Sequence, residues 1–504
     1  MPQIRIYLTT MEPIENLRTV RLEKLEKIRK ANIDPYPRSF DRSGKIGDIT
    51  SKRPKGKISV AGRIISLRPH GGSTFADVTD ESGKVQLFFK RDKLGEAEYN
   101  FLTNFDIGDF IGVVGILFKT KAGELTIDVG KFAMLTKTLR PLPSSWHGLK
   151  DVEIRFRKRY LDLLLNGDVR KNLRLRTKII QSLREFFIAS GFLEVETPVL
   201  QPIYGGASAR PFKTHFNSLN SDFYLKISDE LYLKRLIIGG FDKVFEIDTD
   251  FRNEGIDKTH LPEFKMLEAY QAYADYFDIM DLLEQAYRYT AQNALGTTKV
   301  KFAGRTIDFS KPWRRLTMYE AIRKYVGVDV TKLSDKQIKS LLEKHNLKYE
   351  DRPALTGVGR GFVRGIAIAT LFELCEPHLL DPTIIYDYPK ETTALCKPHR
   401  KDPDLIERFE PYIGGMEIGN AYSELNDPVL QLEFFKQQVE AKKSGDEEAH
   451  PMDDEFVEAL EYGMPPTGGL GLGVDRMVMI LTGANSLKEI IAFPTLKPQK
   501  VNND

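Results

Sequence analysis

The sequence contains few cysteines and no long apolar run. Its two cysteines, Cys375 and Cys396, are too few for a disulfide framework or a cysteine-based zinc cluster, so we expect a reducing compartment. No apolar run approaches the roughly 18 residues that indicate a membrane-spanning helix. The first ten residues also lack the apolar core and the small-residue cleavage site of a signal peptide. These absences predict a cytoplasmic protein that does not associate with a membrane.

The chain also has little net charge, +3 over 504 residues, but this charge is unevenly distributed. Residues 1–145 carry 25 basic and 17 acidic side chains, a net charge of +8. The remaining residues carry 49 basic and 54 acidic side chains, a net charge of −5. A basic N-terminal part suggests contact with a polyanion. A solvated basic surface is the simpler explanation, and charge alone favours it.

An amphipathic basic helix is predicted from Glu12 to Ala31, because apolar residues recur there at helical spacing among lysines and arginines. The pattern ends before Pro35 and Pro37, which do not continue a helix. Such a helix either packs on the next domain or contacts an RNA backbone, and its sequence favours packing.

Five short strands are predicted between Lys57 and Leu135, with a helical segment between the third and the fourth. This pattern is typical of an OB-type barrel, which binds single-stranded nucleic acid through a stacking ring, base-edge hydrogen bonds and basic residues. Phe75, Gln86 and Arg68 are the candidates for these three roles. An aromatic residue on a strand is more often part of a core, so a structural barrel and an RNA-binding barrel are about equally supported.

The segment after the barrel predicts a rigid linker, because it contains Pro141, Pro143 and the run Trp146–Gly148. We therefore expect an N-terminal extension with its helix (1–56), an OB-fold domain (57–140), a linker (141–150) and a larger C-terminal domain (151–504). A mainly helical insertion at about 315–375 carries no pattern that indicates chemistry.

The run from Val244 to Tyr276 is the most informative part of the C-terminal domain. It predicts two antiparallel strands joined by a polar loop. Such a density of charged and hydrogen-bonding groups is costly in a core, so the hairpin is expected to hold a charged ligand. The groups in question are Arg252, Glu254, His260, Glu268 and Tyr270.

Acidic residues are dense between positions 410 and 424. Glu410 and Glu417 beside a phosphate would suit Mg²⁺, which binds a few carboxylates together with ligand phosphates. On regular strands these two residues lie on opposite faces, unless a bulge at Gly414-Gly415 restores the register. A solvated acidic loop is the alternative.

The run TGGLGLGVDRM (467–477) is glycine-rich and leads into an apolar helix. It is not a dinucleotide-binding fingerprint, because the strand–helix–strand unit with a later acidic partner is missing. A glycine-rich strand followed by Arg476 instead allows an adenine or a phosphate to lie against the backbone.

Three segments together resemble motifs 1, 2 and 3 of the class II aminoacyl-tRNA synthetases: TPV with its upstream helix, FRNEG-x4-H-x3-F, and GLGLGVDRM. Further segments, including GGASARPF, ELYLKRL and EIGNAYSELNDP, are similar to the lysyl-tRNA synthetases in particular. The resemblance covers roughly residues 12–495. It implies an α+β fold, with an N-terminal OB barrel that reads the anticodon and a catalytic antiparallel sheet flanked by helices, in a homodimer.

The resemblance also implies an activity, the ATP-dependent ligation of L-lysine to the 3′ end of tRNA(Lys) through a lysyl-adenylate, with Mg²⁺. Arg252 and Arg476 would be the catalytic residues, on the α-phosphate and the γ-phosphate of ATP. The implied ATP-binding residues are Arg252, Glu254, His260, Phe264 and Arg476. The implied lysine-binding residues are Gly206, Glu230, Glu268, Tyr270, Asn420 and Glu424. Glu410 and Glu417 would bind the metal, and the anticodon would be met by Arg68, Phe75, Gln86 and Glu124.

Two other functions are weighed against this one. An aspartate- or asparagine-type synthetase shares the barrel and the motifs, but an acidic substrate needs a basic pocket. An RNA-binding paralogue could have lost the catalytic arginines, yet both are present. The sequence departs from the family at Thr393-Ala394-Leu395-Cys396, where Ser-Pro-Leu-Ala is usual, which bears on the shape of the amino-acid pocket. Cys396 is expected to be a small buried filler there.

Overall fold

The computed structural model describes residues 4–143, 149–349, 361–443 and 449–499. The chain forms two compact units, Met1–Trp146 and His147–Asp504. The predicted linker segment Trp146–Gly148 lies outside the described residues, and the domain limits drawn from the sequence stay predictions. No helix within the described ranges is both long enough and apolar enough to cross a bilayer.

The N-terminal unit is built around a closed barrel with the strand order β1-β2-β3-β5-β4. Buried and half-buried residues alternate along β2 and β3, as expected where one face of a strand points into the barrel. This confirms the predicted OB-fold. The elements of this unit are α1 (Ile4–Lys30), α2 (Ile46–Lys52), β1 (Lys57–His70), β2 (Ser73–Thr79), β3 (Lys84–Lys90), α3 (Arg91–Leu94), α4 (Glu96–Phe101), β4 (Phe110–Lys119) and β5 (Leu125–Thr136).

Helix α1 packs on the barrel of its own unit. The buried Arg21 guanidinium donates to Thr138 Oγ1 at 2.8 Å and to the carbonyl of Ile107 at 3.0 Å. Lys24 forms an ion pair with Asp106 at 2.7 Å. This face of the predicted basic helix is therefore engaged in packing.

The second unit is organised by a nine-stranded sheet. Its central pairs are antiparallel, as predicted, and the pair β14–β15 and the pair β6–β10 are parallel. The strands follow the order β14-β15-β16-β18-β19-β11-β10-β6, and β17 pairs with β16. The sheet strands are β6 (Leu193–Glu194), β10 (Lys243–Phe251), β11 (Glu263–Ala272), β14 (Arg314–Thr317), β15 (Thr383–Pro389), β16 (Leu405–Ile413), β17 (Met416–Glu417), β18 (Gly419–Ser423) and β19 (Thr467–Gly473).

Two smaller sheets and twelve helices complete the described part of this unit. The sheets are formed by β7 (Leu200–Gln201), β8 (Lys213–Phe216) and β9 (Ser221–Leu225), and by β12 (Lys299–Phe302) and β13 (Arg305–Asp308). The helices are α5 (Val152–Arg157), α6 (Arg159–Leu165), α7 (Gly167–Ala189), α8 (Glu230–Ile238), α9 (Tyr276–Leu295), α10 (Met318–Tyr325), α11 (Asp335–Lys344), α12 (Arg364–Phe372), α13 (Pro428–Lys443), α14 (Asp454–Glu461), α15 (Val474–Thr482) and α16 (Leu487–Ile490).

The predicted helical insertion contains α10, α11 and α12, and its residues 350–360 lie outside the described ranges. Its apolar side chains, such as Ile322, Leu342 and Leu371, form a core of their own with residues of β15 and β16. This packing accounts for the apolar pattern of the segment without any role in chemistry.

Side-chain alternation gives the central strands one apolar face and one polar face. Leu267 and Ala269 of β11 and Leu470 of β19 belong to the main hydrophobic core, which α7, α9 and α15 cover. The intervening residues of the same strands, Glu268 and Gly469 among them, therefore point to the opposite face. The candidate site lies on that polar face.

Candidate active site

A cavity of about 540 Å³ lies on the polar face of the sheet in the second unit. It gathers residues from segments that are far apart in the chain. Twelve residues predicted for the site line it: Gly206, Glu230, Arg252, Glu254, His260, Phe264, Glu268, Tyr270, Glu410, Glu417, Asn420 and Arg476. Glu424 is the exception, since it is buried behind the cavity wall.

The strand pair β10–β11 places the first group of these side chains. Its register pairs Val244 with Tyr270 and Phe251 with Glu263, and the Arg252 amide donates to the carbonyl of Pro262 at 2.8 Å. The loop from Arg252 to Pro262 is thus closed by a backbone hydrogen bond at its base. This geometry confirms the predicted antiparallel hairpin.

Arg252 lies over the ring of Phe264, with 5.1 Å between its guanidinium carbon and the ring centre. Its Nε and Nη2 each lie 3.4 Å from the carbonyl of Ile227, at the long end of hydrogen bonding. These contacts hold the Arg252 guanidinium at the cavity wall, and no ion pair of Arg252 occurs among the described residues. Such a group is suited to bind an anionic ligand.

Arg476, Glu417 and His260 form a second charged group. Arg476 Nη1 donates to Glu417 Oε2 at 2.7 Å, and Arg476 Nη2 lies 3.0 Å from His260 Nε2. Because an arginine only donates, Nε2 is the acceptor and His260 Nδ1 carries the proton. That nitrogen lies 2.8 Å from Asp257 Oδ2 and donates a hydrogen bond to it.

Glu268 is a buried carboxylate held by three donors. Ser228 Oγ and the Asp229 amide donate to its Oε1 at 2.7 and 3.1 Å, and Tyr270 donates to its Oε2 at 3.2 Å. Burial, together with the nearby charges of Asp229 and Glu230, raises the pKa of Glu268 to about 8. A cationic ligand would favour its ionised form, so the carboxylate is suited to bind an ammonium group.

Glycines of β19 leave room for these acids. A methyl group at Gly469 would lie 1.9 Å from Glu424 Oε1 and 2.6 Å from the ring of Tyr270. A methyl group at Gly471 would meet only the end of Met266, at 3.4 Å, and a more distant carbonyl. Part of the glycine-rich strand therefore accommodates the acids of the cavity, a role that its sequence pattern did not indicate.

The hairpin β16–β17 brings Glu410 and Glu417 to one face. Gly414 and Gly415 both have positive φ angles, 66° and 76°, as in the two-residue turn that matches strand twist. The turn places Tyr412 directly opposite Glu417, so these two side chains lie on the same face of the hairpin. Glu410 stands two residues before Tyr412 on one strand and therefore lies on that face as well. The register is thus restored by a tight turn in place of the bulge that the sequence suggested.

Glu410 accepts hydrogen bonds from Tyr388 at 2.8 Å and Tyr412 at 2.7 Å, and it forms an ion pair with Arg408. No group of three or more metal-binding side chains occurs among the described residues. Two carboxylates alone fit Mg²⁺ only where a ligand's phosphates complete the coordination.

Four residues that the sequence did not single out either line the cavity or contact its acids. Arg408 donates to Asn420 Oδ1 at 2.9 Å and pairs with Glu410, so it orients two predicted site residues. It stands two residues before Glu410 on one strand, a spacing that puts both on one face. Strand periodicity could therefore have found it. The other three are Ser228, Lys234 and Tyr422.

The segment that departs from the family lies at the cavity wall. Thr393 and Leu395 line the cavity, while Cys396 is fully buried and forms a bridge with the Glu424 backbone. Burial raises the pKa of the Cys396 thiol well above its usual value, as expected for an inert filler.

The predicted anticodon residues occupy the outer face of the barrel in the N-terminal unit. The ring of Phe75 stacks on Phe88 with 4.5 Å between centres. Arg68 is paired across the strands with Phe75 and forms an ion pair with Asp77 at 2.8 Å. Gln86 accepts from Thr126 at 2.9 Å, and the side chain of Glu124, beyond the end of β4, is exposed. Their roles stay predictions.

A barrel of this type joined to a class II catalytic sheet defines an aminoacyl-tRNA ligase, and comparison with known proteins agrees. Residues 151–497 match the family model of the class II tRNA synthetases (D, K and N), and residues 58–135 match that of the OB-fold nucleic acid binding domain. The chain belongs to the class II tRNA synthetase family. This confirms the family, the fold class and the enzyme class that the sequence predicted.

Similar proteins are lysine–tRNA ligases. The chain is 48% identical over 494 residues to the lysine–tRNA ligase of Thermoanaerobacter sp. (strain X514), covering 97% of each. It is 46% identical over 488 residues to that of Methanoculleus marisnigri and 47% over 485 residues to that of Clostridium novyi. Each of these two alignments covers 95% of this chain and 94% of the relative.

Proposed function

We propose that the chain ligates L-lysine to the 3′ end of tRNA(Lys), using ATP and forming a lysyl-adenylate intermediate. The observation that carries this proposal is the set of buried carboxylates at one end of the cavity, Glu230 and Glu268, with Glu424 directly behind. Buried acids require cationic partners, and lysine supplies two ammonium groups. The similarity to lysine–tRNA ligases over nearly the whole chain supports the same conclusion.

In the first step the lysine carboxylate attacks the α-phosphate of ATP, which brings two anions together. Fixed positive charge and orientation are therefore the main requirements. Arg252 would hold the reacting carboxylate and the α-phosphate, and Arg476 the γ-phosphate. Glu254 and His260 would orient the nucleotide, and Phe264 would stack on its adenine.

Glu410 and Glu417 would hold Mg²⁺ together with the phosphates of ATP. The ion, when bound, would neutralise the charge that develops on the departing pyrophosphate. Glu410 is fixed for this role by the two tyrosines and the arginine that contact it.

At the amino-acid end, Glu268 and Glu424 would receive the side-chain ammonium, supported by Tyr270. Glu230, Gly206 and Asn420 would surround the rest of the amino acid. An aspartate substrate is disfavoured, because its acidic side chain would meet buried acids of the same sign. An asparagine substrate is disfavoured, because its neutral amide would leave these acids without a cationic partner. An RNA-binding paralogue without catalysis is disfavoured by the presence of Arg252, Arg476, Glu410 and Glu417 around a single cavity.

In the second step the 3′-terminal ribose hydroxyl of tRNA attacks the adenylate, with a phosphate oxygen as the proton acceptor. The anticodon would be read on the outer face of the barrel, where Phe75 offers a stacking surface beside Arg68, Gln86 and Glu124. The basic charge of residues 1–145 favours this contact with RNA.

We also propose that the enzyme acts as a cytoplasmic homodimer. Support for a dimer comes from the density of exposed apolar side chains between positions 188 and 219, since large exposed apolar surfaces mark interaction sites. These side chains are Ile188, Leu193, Val199, Leu200, Ile203, Phe216 and Leu219. The two cysteines, both free and buried, are compatible with a reducing compartment.

The amino-acid specificity is tested by ATP–pyrophosphate exchange with each standard amino acid in turn. We expect exchange above background with lysine, and little with aspartate or asparagine, because of the charge of the cavity. Reactions without any amino acid and reactions without Mg²⁺ serve as the blanks. Exchange that depends on aspartate in place of lysine would refute the proposed function.

A further inference from the structure

Lys234 is a fully buried cation beside the amino-acid end of the cavity. It lies one helical turn after Glu230 on α8, and its Nζ contacts Glu230 Oε1 at 2.6 Å and Glu424 Oε2 in a second ion pair. None of the side chain is exposed, and it does not line the cavity. It would therefore touch the carboxylates that receive the substrate without touching the substrate.

The charges around this end of the cavity balance in a specific way. When all three are ionised, Glu230, Glu268 and Glu424 bring three negative charges, and Lys234 offsets one of them. The two ammonium groups of L-lysine would offset the remaining two, while Arg252 would meet the carboxylate of the substrate. Because buried charges need partners, the number of fixed charges decides how many cationic groups a ligand must bring.

We propose that Lys234 is a positioning residue for amino-acid specificity, because its fixed ammonium forms ion pairs with both Glu230 and Glu424 and so orients these acids for the substrate's two ammonium groups. This inference rests on the proposed function. It assigns a role to a residue that lies outside the cavity wall.

The surroundings of Glu424 explain why a fixed cation is needed. Besides Lys234, the titratable groups around it are Glu230 of α8, Glu268 and Tyr270 of β11, Tyr422 of β18, and Cys396. Each of these groups is either neutral or negatively charged, so none of them can offset the charge of a carboxylate. Among the described residues, Lys234 is the cation that forms an ion pair with Glu424, while Arg408 lies near Tyr422 and Cys396.

Burial raises the pKa of both Glu230 and Glu424, and the Lys234 ammonium opposes that rise. Burial alone would lower the pKa of Lys234, but the two carboxylates raise it above its usual value. Lys234 therefore stays protonated near neutral pH. Removing its charge raises the pKa of the acids further, so that ionising a carboxyl group to receive an ammonium costs more free energy at pH 7.

The test compares Lys234→Met with the wild-type enzyme in lysine-dependent ATP–pyrophosphate exchange. At neutral pH we expect the KM for lysine to rise by at least about tenfold, and the KM for ATP to change by less than about twofold. The lysine penalty should shrink as the pH is raised toward about 9, because the acids then ionise without the fixed cation. Lys234→Arg, which keeps the charge, should retain more lysine affinity than Lys234→Met.

Lys137→Met is the matched control, because Lys137 is also fully buried and pairs with two acids, Asp106 and Asp109, in the N-terminal unit. It should lower stability and leave both KM values for exchange unchanged. Circular dichroism checks the fold of each variant. If Lys234→Met does not fold, Lys234→Gln removes the charge and keeps a hydrogen-bond donor, and the same pH series is measured on it.

The inference fails if the KM for lysine does not rise, if both KM values rise together, or if the lysine penalty does not depend on pH. A lower KM for lysine would mean that Lys234 competes with the substrate, and would also refute it. Failure of the proposed function gives a different result, since the wild-type enzyme would then show no exchange with lysine.

Discussion

Gly469 fixes the position of side chains to which it makes no hydrogen bond. Its missing methyl group leaves the space that Glu424 Oε1 and the ring of Tyr270 occupy. Both neighbours are buried, so neither can move aside at low cost. The shape of the proposed amino-acid pocket therefore depends on a residue that offers no functional group.

Gly469→Ala is expected to raise the KM for lysine by roughly 5- to 150-fold, since a one-atom clash in a packed site costs about 1–3 kcal/mol. The KM for ATP should change much less, because the clash is with Glu424 and Tyr270. Steady-state ATP–pyrophosphate exchange measures both values.

Gly471→Ala is the matched variant on the same strand. Its methyl group would meet the flexible end of Met266 at 3.4 Å, so a smaller loss of lysine affinity is expected. Equal losses in the two variants would mean that the glycines serve the strand backbone and not the pocket.

The sequence was sufficient to select twelve residues that line the cavity, because their types and spacing follow the motifs of one family. It could not show how deeply each of these side chains is buried. Glu424 lies behind the wall, and Lys234 lies beside it, because both depths depend on how α8 packs against the sheet. A helical spacing of four between Glu230 and Lys234 predicts a contact, yet not that the contact is buried.

At the scale of elements, the strands β7, β8 and β9 form a small sheet with little cover of their own. Every residue of β8 is exposed, including Phe216, and Leu200 of β7 is also exposed. The elements α7 and β6, which precede this sheet in the chain, carry the exposed Ile188 and Leu193. This apolar edge is the surface on which we expect the second copy of the chain.

The double variant Leu200→Asp/Phe216→Asp is expected to shift the enzyme from dimer to monomer at micromolar concentration, because it would bury two unpaired charges in the interface. Sedimentation velocity measures the change, with circular dichroism to show that the fold is kept. Tyr462→Asp is the control, since Tyr462 is 81% exposed at the end of α14, outside this edge. If Tyr462→Asp dissociated the dimer and the double variant did not, the interface would lie elsewhere.

Element types were predictable where their periodicity was clear. The barrel strands and the β10–β11 hairpin alternate regularly, so their existence and pairing followed from the pattern. The parallel pairs β14–β15 and β6–β10 did not follow, because strand direction depends on connections between distant segments. The turn at Gly414 was anticipated as a bulge, since only backbone angles distinguish the two.

At the scale of the whole molecule, the chain divides its chemistry between two compact units. The cavity lies entirely in the second unit, and the stacked rings of Phe75 and Phe88 lie in the first. Adenylate formation and anticodon reading should therefore respond separately to mutation.

Phe75→Ala is expected to lower kcat/KM for tRNA charging by about tenfold, since stacking of a base on an aromatic ring is worth about 1–3 kcal/mol. Lysine-dependent exchange should not change, because no tRNA takes part in it. Phe75→Tyr keeps the ring and should restore charging. A collapse of exchange in Phe75→Ala would show instead that the ring stabilises the protein.

The strict alternation along β11 limits how this enzyme can change over evolution. Leu267 and Ala269 serve the core while Glu268 and Tyr270 serve the site, so substitutions on either face can be tried independently. Gaining or losing a single residue within the strand would exchange the two faces, carrying acids into the core and apolar groups into the cavity. Divergence in amino-acid preference must therefore proceed by replacement of side chains, and changes of length are confined to the loops.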